Sequence, residues 1–397
     1  KSPILTEVKK SDKVTVLEDE DDWMKVATAD GYVGYIKTKF LKNQKKEKTS
    51  RDFTEPVYSD MTEDHSINMA WHNVTNAAAN NAVQQVLAST SGLTTIAPTW
   101  FSLADTEGNI SSIADADYVN YAHTAGLEVW AVFRDFHGGT NSYDETYETL
   151  RYTSKRAKLE DQVVAAAVAA GVDGINLDFE LISSKCGVHY VQLVRELSVK
   201  CHQNNLVFSV DNYVPQSYNS HYDLKEQGIV ADYVVIMAYD EHTEGSYEAG
   251  SVASISYLQD GIEKTLKKVS ADKVIAGIPF FTRLWFETAK SPEQLSEEAG
   301  TEAASYPNKV SSKALGMEEA AQSVVNAGAT AQWDEKTQQN YAKWSADGGT
   351  YRIWLEDAQS LEAKLKVIQE NKLAGVAEWS LGKEESSVWK LISQYVN

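Results

Sequence analysis

The chain has 397 residues, more than one ordinary core accommodates, which predicts one large domain and a smaller companion. Its hydrophobic fraction of 43% is that of a globular protein, and no stretch reaches the roughly 20 apolar residues that span a bilayer. A formal net charge of −20 sets the surface field against nucleic acid and anionic membranes, and leaves a neutral, hydroxyl-rich ligand admissible.

Residues 1–42 carry short strand signals at 14–17, 23–26 and 32–36, with an Asp30-Gly31 turn between the last two. The run from Trp23-Met24-Lys25-Val26 through this turn to Gly34-Tyr35-Ile36 resembles the bacterial Src-homology-3-type domain, whose first strand would lie upstream of Lys1. That resemblance implies contact with cell-wall peptide. Residues 43–55 are polar and Lys-rich, cannot bury a core, and read as a linker. The catalytic-sized domain is expected over 56–397.

There, strand signals at 67–71, 94–101, 127–136, 174–180, 207–213, 233–240, 273–280 and 375–381 alternate with helical patterns. The clearest helices are expected at 77–89, 114–125, 157–170, 188–202, 255–269 and 358–371. This alternation predicts an α/β chain: a closed parallel (β/α)8 barrel preceded by a small all-β domain. An open doubly wound sheet would show a Gly-rich phosphate turn after its first strand, and Trp71-His72-Asn73 is nothing like one. The long stretch after Phe280 breaks the rhythm. It holds a helical pattern at 317–327 and strand patterns at 330–333, 341–344 and 351–354, and reads as a small α+β insertion over about 282–355. Cys186 and Cys201 flank a predicted helix roughly 20 Å long, too far apart to bridge, so two free thiols are expected.

The chemistry concentrates in Asp173-Gly174-Ile175-Asn176-Leu177-Asp178-Phe179-Glu180. With a period of two, Ile175, Leu177 and Phe179 face the helices, and Asn176, Asp178 and Glu180 face the barrel interior. Apolar branched residues usually fill that interior, so an acidic column at the C-terminal strand end points to catalysis by carboxyl groups with divided roles.

These residues resemble the signature of glycoside hydrolase family 18, the chitinases and related N-acetylglucosaminidases: Asp-x-x-Asp-x-Asp-x-Glu, met here at Asp173, Asp178 and Glu180, with Asn176 where many members carry Asp. Three further segments are similar to family motifs in the same order. They are Met237-Ala238-Tyr239-Asp240, Gly277-Ile278-Pro279-Phe280-Phe281-Thr282-Arg283 and Ala377-Glu378-Trp379. The combination looks most like the spore-cortex and cell-wall lytic branch. The resemblance implies a retaining, substrate-assisted glycosidase with Glu180 as acid, Asp178 orienting and stabilising the 2-acetamido group, and Tyr239 hydrogen-bonding it. It further implies Asn176, Asp240, Trp379, Met237, Arg283 and Tyr213 around the sugar, and Asp173 as a structural motif residue. An Asn176 amide that donates to Asp178 would hold it ionised, and Asn176→Asp would then move the acid limb of the pH–rate profile. Trp71, Trp100, Trp285 and Trp354 are further candidates for sugar platforms. No cofactor and no metal is expected. The expected partner is an N-acetylglucosamine-containing polysaccharide, peptidoglycan or chitin. The expected location is extracellular or at the cell wall, with a native signal or anchor upstream of Lys1. A catalytically silent carbohydrate-binding relative, or an enzyme releasing glycans from glycoproteins, is the alternative.

Overall fold

The computed structural model describes residues 3–46, 48 and 60–396. Within the expected linker, residues 47 and 49–55 lie outside the described residues, as does the expected domain start at 56. No helix among the described residues is long and apolar enough to cross a membrane.

Three antiparallel strands, β1 (Val14–Glu20), β2 (Trp23–Thr28) and β3 (Val33–Lys37), form the small N-terminal sheet. Gly31 makes the β2–β3 turn at φ 81°, a backbone angle that side-chain-bearing residues rarely adopt. The turn rests on the large domain: the Tyr32 ring lies 4.5 Å from that of Tyr152.

Eight parallel strands close the barrel. They are β4 (Ile67–His72), β5 (Thr95–Pro98), β8 (Glu128–Arg134), β9 (Gly174–Asp178), β10 (Val207–Tyr213), β11 (Tyr233–Met237), β12 (Val274–Pro279) and β18 (Gly375–Trp379). The pairing of β5 with both β4 and β8 completes the circle. The second expected strand is broken after Pro98. Its continuation, β6 (Phe101–Leu103), pairs parallel with the C-terminal end of β8 and forms a hairpin with β7 (Ile110–Ser112). The expected helix at 77–89 also divides, into a 3-10 turn at Ala77–Ala82 and a short helix at Val83–Leu87.

The insertion is a five-stranded antiparallel sheet in the order β14-β13-β17-β16-β15. Its members are β13 (Phe281–Ala289), β14 (Asn308–Gly316), β15 (Gln332–Asp334), β16 (Gln339–Ala346) and β17 (Gly349–Leu355), with the helix Met317–Asn326 on one face. β13 and β14 were not among the sequence expectations, because Thr282-Arg283 reads as the end of a barrel strand.

Strand alternation divides the hydrophobic residues of the barrel into two shells. Ile175, Leu177, Phe208 and Ile278 pack outward against the helices. Met69, Trp71, Trp130, Val132, Val235 and Ile275 fill the interior. The inner shell stops short of the C-terminal rim, where polar residues replace it.

Candidate active site

β9 is a strand because its outward residues, Ile175 and Leu177, are fully buried against the helices. Its inward side meets close neighbours. A Cβ on Gly174 would stand 2.8 Å from both Trp130 Cδ1 and the Val207 carbonyl, so only glycine lets β8 and β10 approach there.

Going up the interior, the polar column forms in rungs. Val132, Asn176 and Ser209 share one rung across β8, β9 and β10. Asn176 is fully buried: its Nδ2 donates to Ser209 Oγ at 2.9 Å and Asp211 Oδ1 at 2.7 Å, and its Oδ1 accepts from Trp71 Nε1 at 3.0 Å. This corrects the expectation for Asn176. Its amide is directed to Ser209 and Asp211, not to Asp178.

Arg134 pairs with Asp178 in the next rung. Both are nearly closed to solvent, at 9% and 7% exposure. Burial raises Asp178 well above the usual carboxylate range, Glu180, Asp211 and Asp135 add to the rise, and the Arg134 guanidinium opposes it.

Glu180 follows Phe179 at the rim, half-buried. Two neighbours fix its backbone. Asp135, fully buried, accepts from the Glu180 N–H at 2.9 Å and from the Leu181 N–H at 3.0 Å, and also from Thr146 Oγ1 at 3.1 Å. The Tyr222 hydroxyl donates to the Glu180 carbonyl at 3.1 Å. The Glu180 carboxylate accepts a short hydrogen bond from the Tyr213 hydroxyl. Burial raises the Glu180 pKa; the Tyr213 bond pulls it down and Asp240 pushes it up. Burial also lifts Asp135 to about 7 and Asp211 to about 8.

Tyr239 reaches the same space from the end of β11, its ring edge-on to Trp71 at 6.4 Å and to Phe281 at 6.2 Å. Trp379, half-buried at the end of β18, lies 6.0 Å from Trp71, so the two indoles and Tyr239 form an aromatic floor beside the carboxyl groups. Met237 is buried in the inner shell beneath it. Asp240, at φ 59°, stands at the mouth, where the nearest cations are Arg283 and Lys383. Arg283 spends one N–H on Ser312 Oγ at 2.9 Å. Asp173 lies at the opposite end of β9, accepting from His123 and from the Val129 N–H, each at 2.8 Å.

Two expected platforms are core residues. Trp100 is buried and bonded to Asn80, and Trp285 is buried and bonded to the Gly250 carbonyl. Trp354 packs at a tilt against Tyr341 within the insertion sheet, ring centroids 4.8 Å apart. Sequence reasoning missed Arg134, Asp135 and Asp211. The first two follow an apolar strand as a charged pair, a signal that a closer reading of 128–135 offers. Asp211 sits in Val207–Tyr213 at a position of the same parity as Ser209, a polar inward face like that of β9.

A model of the glycosyl hydrolases of family 18 matches residues 70–384, and one of the bacterial SH3 domain matches residues 1–42. The chain is 26% identical over 295 residues to the glycosylase YvbX of Bacillus subtilis, covering 72% of this chain and 80% of that protein. It is 27% identical over 256 residues to the cortical fragment-lytic enzyme of the same organism, covering 62% of this chain and 54% of that relative's length. The crystal structure of a chitinase from Chromobacterium violaceum superposes with a TM-score of 0.69 at 21% identity, over 83% of this chain and 98% of that one, a likeness of fold.

Proposed function

The chain belongs to glycosyl hydrolase family 18, and from that premise we propose that it cleaves β-1,4 bonds next to N-acetylglucosamine in a cell-wall polymer, with retention of configuration. The observation that carries this reading is Asp178 at the inward end of β9 with Glu180 two residues beyond it at the rim, where Tyr239 and Trp379 both pack on Trp71.

Glu180 enters as the general acid. A pKa raised by burial favours its protonated form, and the Tyr213 hydroxyl holds the carboxyl in one orientation. As the glycosidic C–O bond breaks, that proton goes to the leaving oxygen. The carbonyl oxygen of the sugar's own 2-acetamido group bonds to the anomeric carbon, giving a positively charged oxazolinium ring. Asp178, whose ionised form the Arg134 guanidinium favours, accepts from the acetamido N–H and faces that charge. The buried Tyr239 hydroxyl donates to the acetamido group, fixing its angle of attack. Glu180, now a carboxylate, takes a proton from water, whose oxygen opens the ring from the face the leaving group vacated. Two displacements at one carbon retain configuration. Trp379 supplies the stacking face for the sugar, and Asp240 and Arg283 polar contacts at the mouth.

Wall glycan is favoured over chitin as substrate by the matched SH3-type segment, and by the cortical fragment-lytic relative. The same two likenesses support an extracellular or wall-associated site of action. The test is digestion of bacterial peptidoglycan and, separately, of N-acetylglucosamine oligomers, with Glu180→Gln in parallel and products identified by mass spectrometry. Fragments with N-acetylglucosamine at the new reducing end, released by the wild type alone, are expected. Binding without cleavage by both proteins would overturn the proposal and leave a carbohydrate-binding protein.

A further inference from the structure

β9 and β10 run parallel in register up to Leu177 opposite Val210. The next inward pair is therefore Asp178 beside Asp211, on strands about 4.8 Å apart. With Arg134 on the far side of Asp178, one rung holds a single cation and two carboxyl groups. Asp211 is 2% exposed. One oxygen of each acid, Asp178 Oδ1 and Asp211 Oδ2, is buried without a hydrogen-bond partner among the described residues.

The charges around this pair do not balance if both acids ionise. From β9, Asp178 and Glu180 face Asp211; from β8 and the turn after it come Arg134 and Asp135. Tyr190 of the helix Gly187–Gln203 and Tyr239 after β11 are neutral, and β4 contributes only the Trp71 indole. A buried carboxylate without a counter-ion takes up a proton rather than stay charged. The two acids titrate as a pair, each raised by its burial. The one cation, Arg134, lies on the Asp178 side and favours an anion there, whereas Asp211 has only the uncharged Asn176 and Trp71 N–H donors, which offset its burial in part.

We infer that Asp211 is a positioning residue for Asp178: a buried carboxylic acid that keeps its proton through the reaction and supplies, one strand over, the proton-bearing neighbour that Asn176 cannot be. The inference rests on the role given to Asp178 above. Its consequence is that Asp178 remains the only anion of the rung when positive charge develops on the sugar. Ionisation of Asp211 would set two anions side by side and draw the remaining proton toward Asp178, disabling it.

The test compares Asp211→Asn and Asp211→Ala with the wild type, by kcat on soluble N-acetylglucosamine oligomers and by Tm, both from pH 5 to 9. A neutral amide replaces a neutral acid of the same shape, so Asp211→Asn is expected to keep kcat within about threefold at pH 6, where Asp211→Ala loses more. A carboxyl group whose folded-state pKa is raised stabilises while protonated, and that stability is lost as pH rises through its folded value, here about 8. The Asp211 contribution to Tm is therefore lost progressively from its unfolded value, about 4, up to about pH 8 and is gone above it, whereas kcat falls above about pH 8. In Asp211→Asn the Asp211 share of that fall is absent, so its Tm difference from wild type changes between pH 5 and 8, and the alkaline limb of kcat is that of Glu180 alone. A folded Asp211→Asn as inactive as Asp211→Ala at every pH, with a Tm difference from wild type that does not change with pH, would overturn the inference. Failure of the wild type to cleave any glycan would instead remove the glycosidase reading, and the Tm series would still decide the protonation of Asp211.

Discussion

Each acid at this site takes its role from what stands beside it. Glu180 is tuned in two directions, up by burial and down by the Tyr213 hydroxyl. Tyr213→Phe removes the lowering partner. Glu180 should then hold its proton to higher pH, and the alkaline limb of kcat/KM should move upward; a pH–rate series on the oligomers checks this. Asp178 and Glu180 were legible in the sequence because strand parity alone puts them on one face. Asp211 and Arg134 were not, since their places beside Asp178 depend on the register between strands that are distant in the chain. Asn176 shows the same limit. Its inward direction was readable, but its partner was not: the neighbouring strand offers Ser209 and Asp211 at bonding distance, and the amide turns sideways rather than up the column.

At the scale of elements, the site depends on how closely β8, β9 and β10 approach. Gly174 sets that approach. Gly174→Ala would drive a Cβ into Trp130 and the Val207 carbonyl, 2.8 Å away, and displace β9 at its root. The expected cost is about 1–3 kcal/mol, read as a lowered urea midpoint, together with a loss of kcat, since Asp178 ends the same strand and Glu180 follows just beyond it. All eight barrel strands were legible from their apolar runs. The breaks were not. Pro98 ends β5 early because proline has no N–H for the ladder, and the chain restarts as β6 against the upper end of β8. Likewise the seventh strand runs through Phe280 directly into β13, so one apolar run serves two sheets, and its composition carries no mark of the change.

The whole molecule is two concentric apolar shells with a polar plug at one end of the inner one. The inner shell positions the acids from below and the outer one locks the helices, so a disturbance of either reaches the cleft. The turn of the small N-terminal sheet touches this body through Tyr32 on Tyr152, next to the start of the helix Thr153–Ala170. The cysteines belong to the outer shell. Cys186 and Cys201 stand at the two ends of one helix, both fully buried, with burial lifting the first thiol to about 12 and the second far above its ordinary value. Neither offers a thiolate to an oxidant or an alkylating reagent while the helix stays docked. The fold is therefore indifferent to the redox poise of its surroundings, and its two sulfurs are a built-in alarm for unfolding. A thiol-reactive dye should stay dark on the native enzyme and label both positions together when the outer shell opens, at the same urea concentration at which the barrel melts.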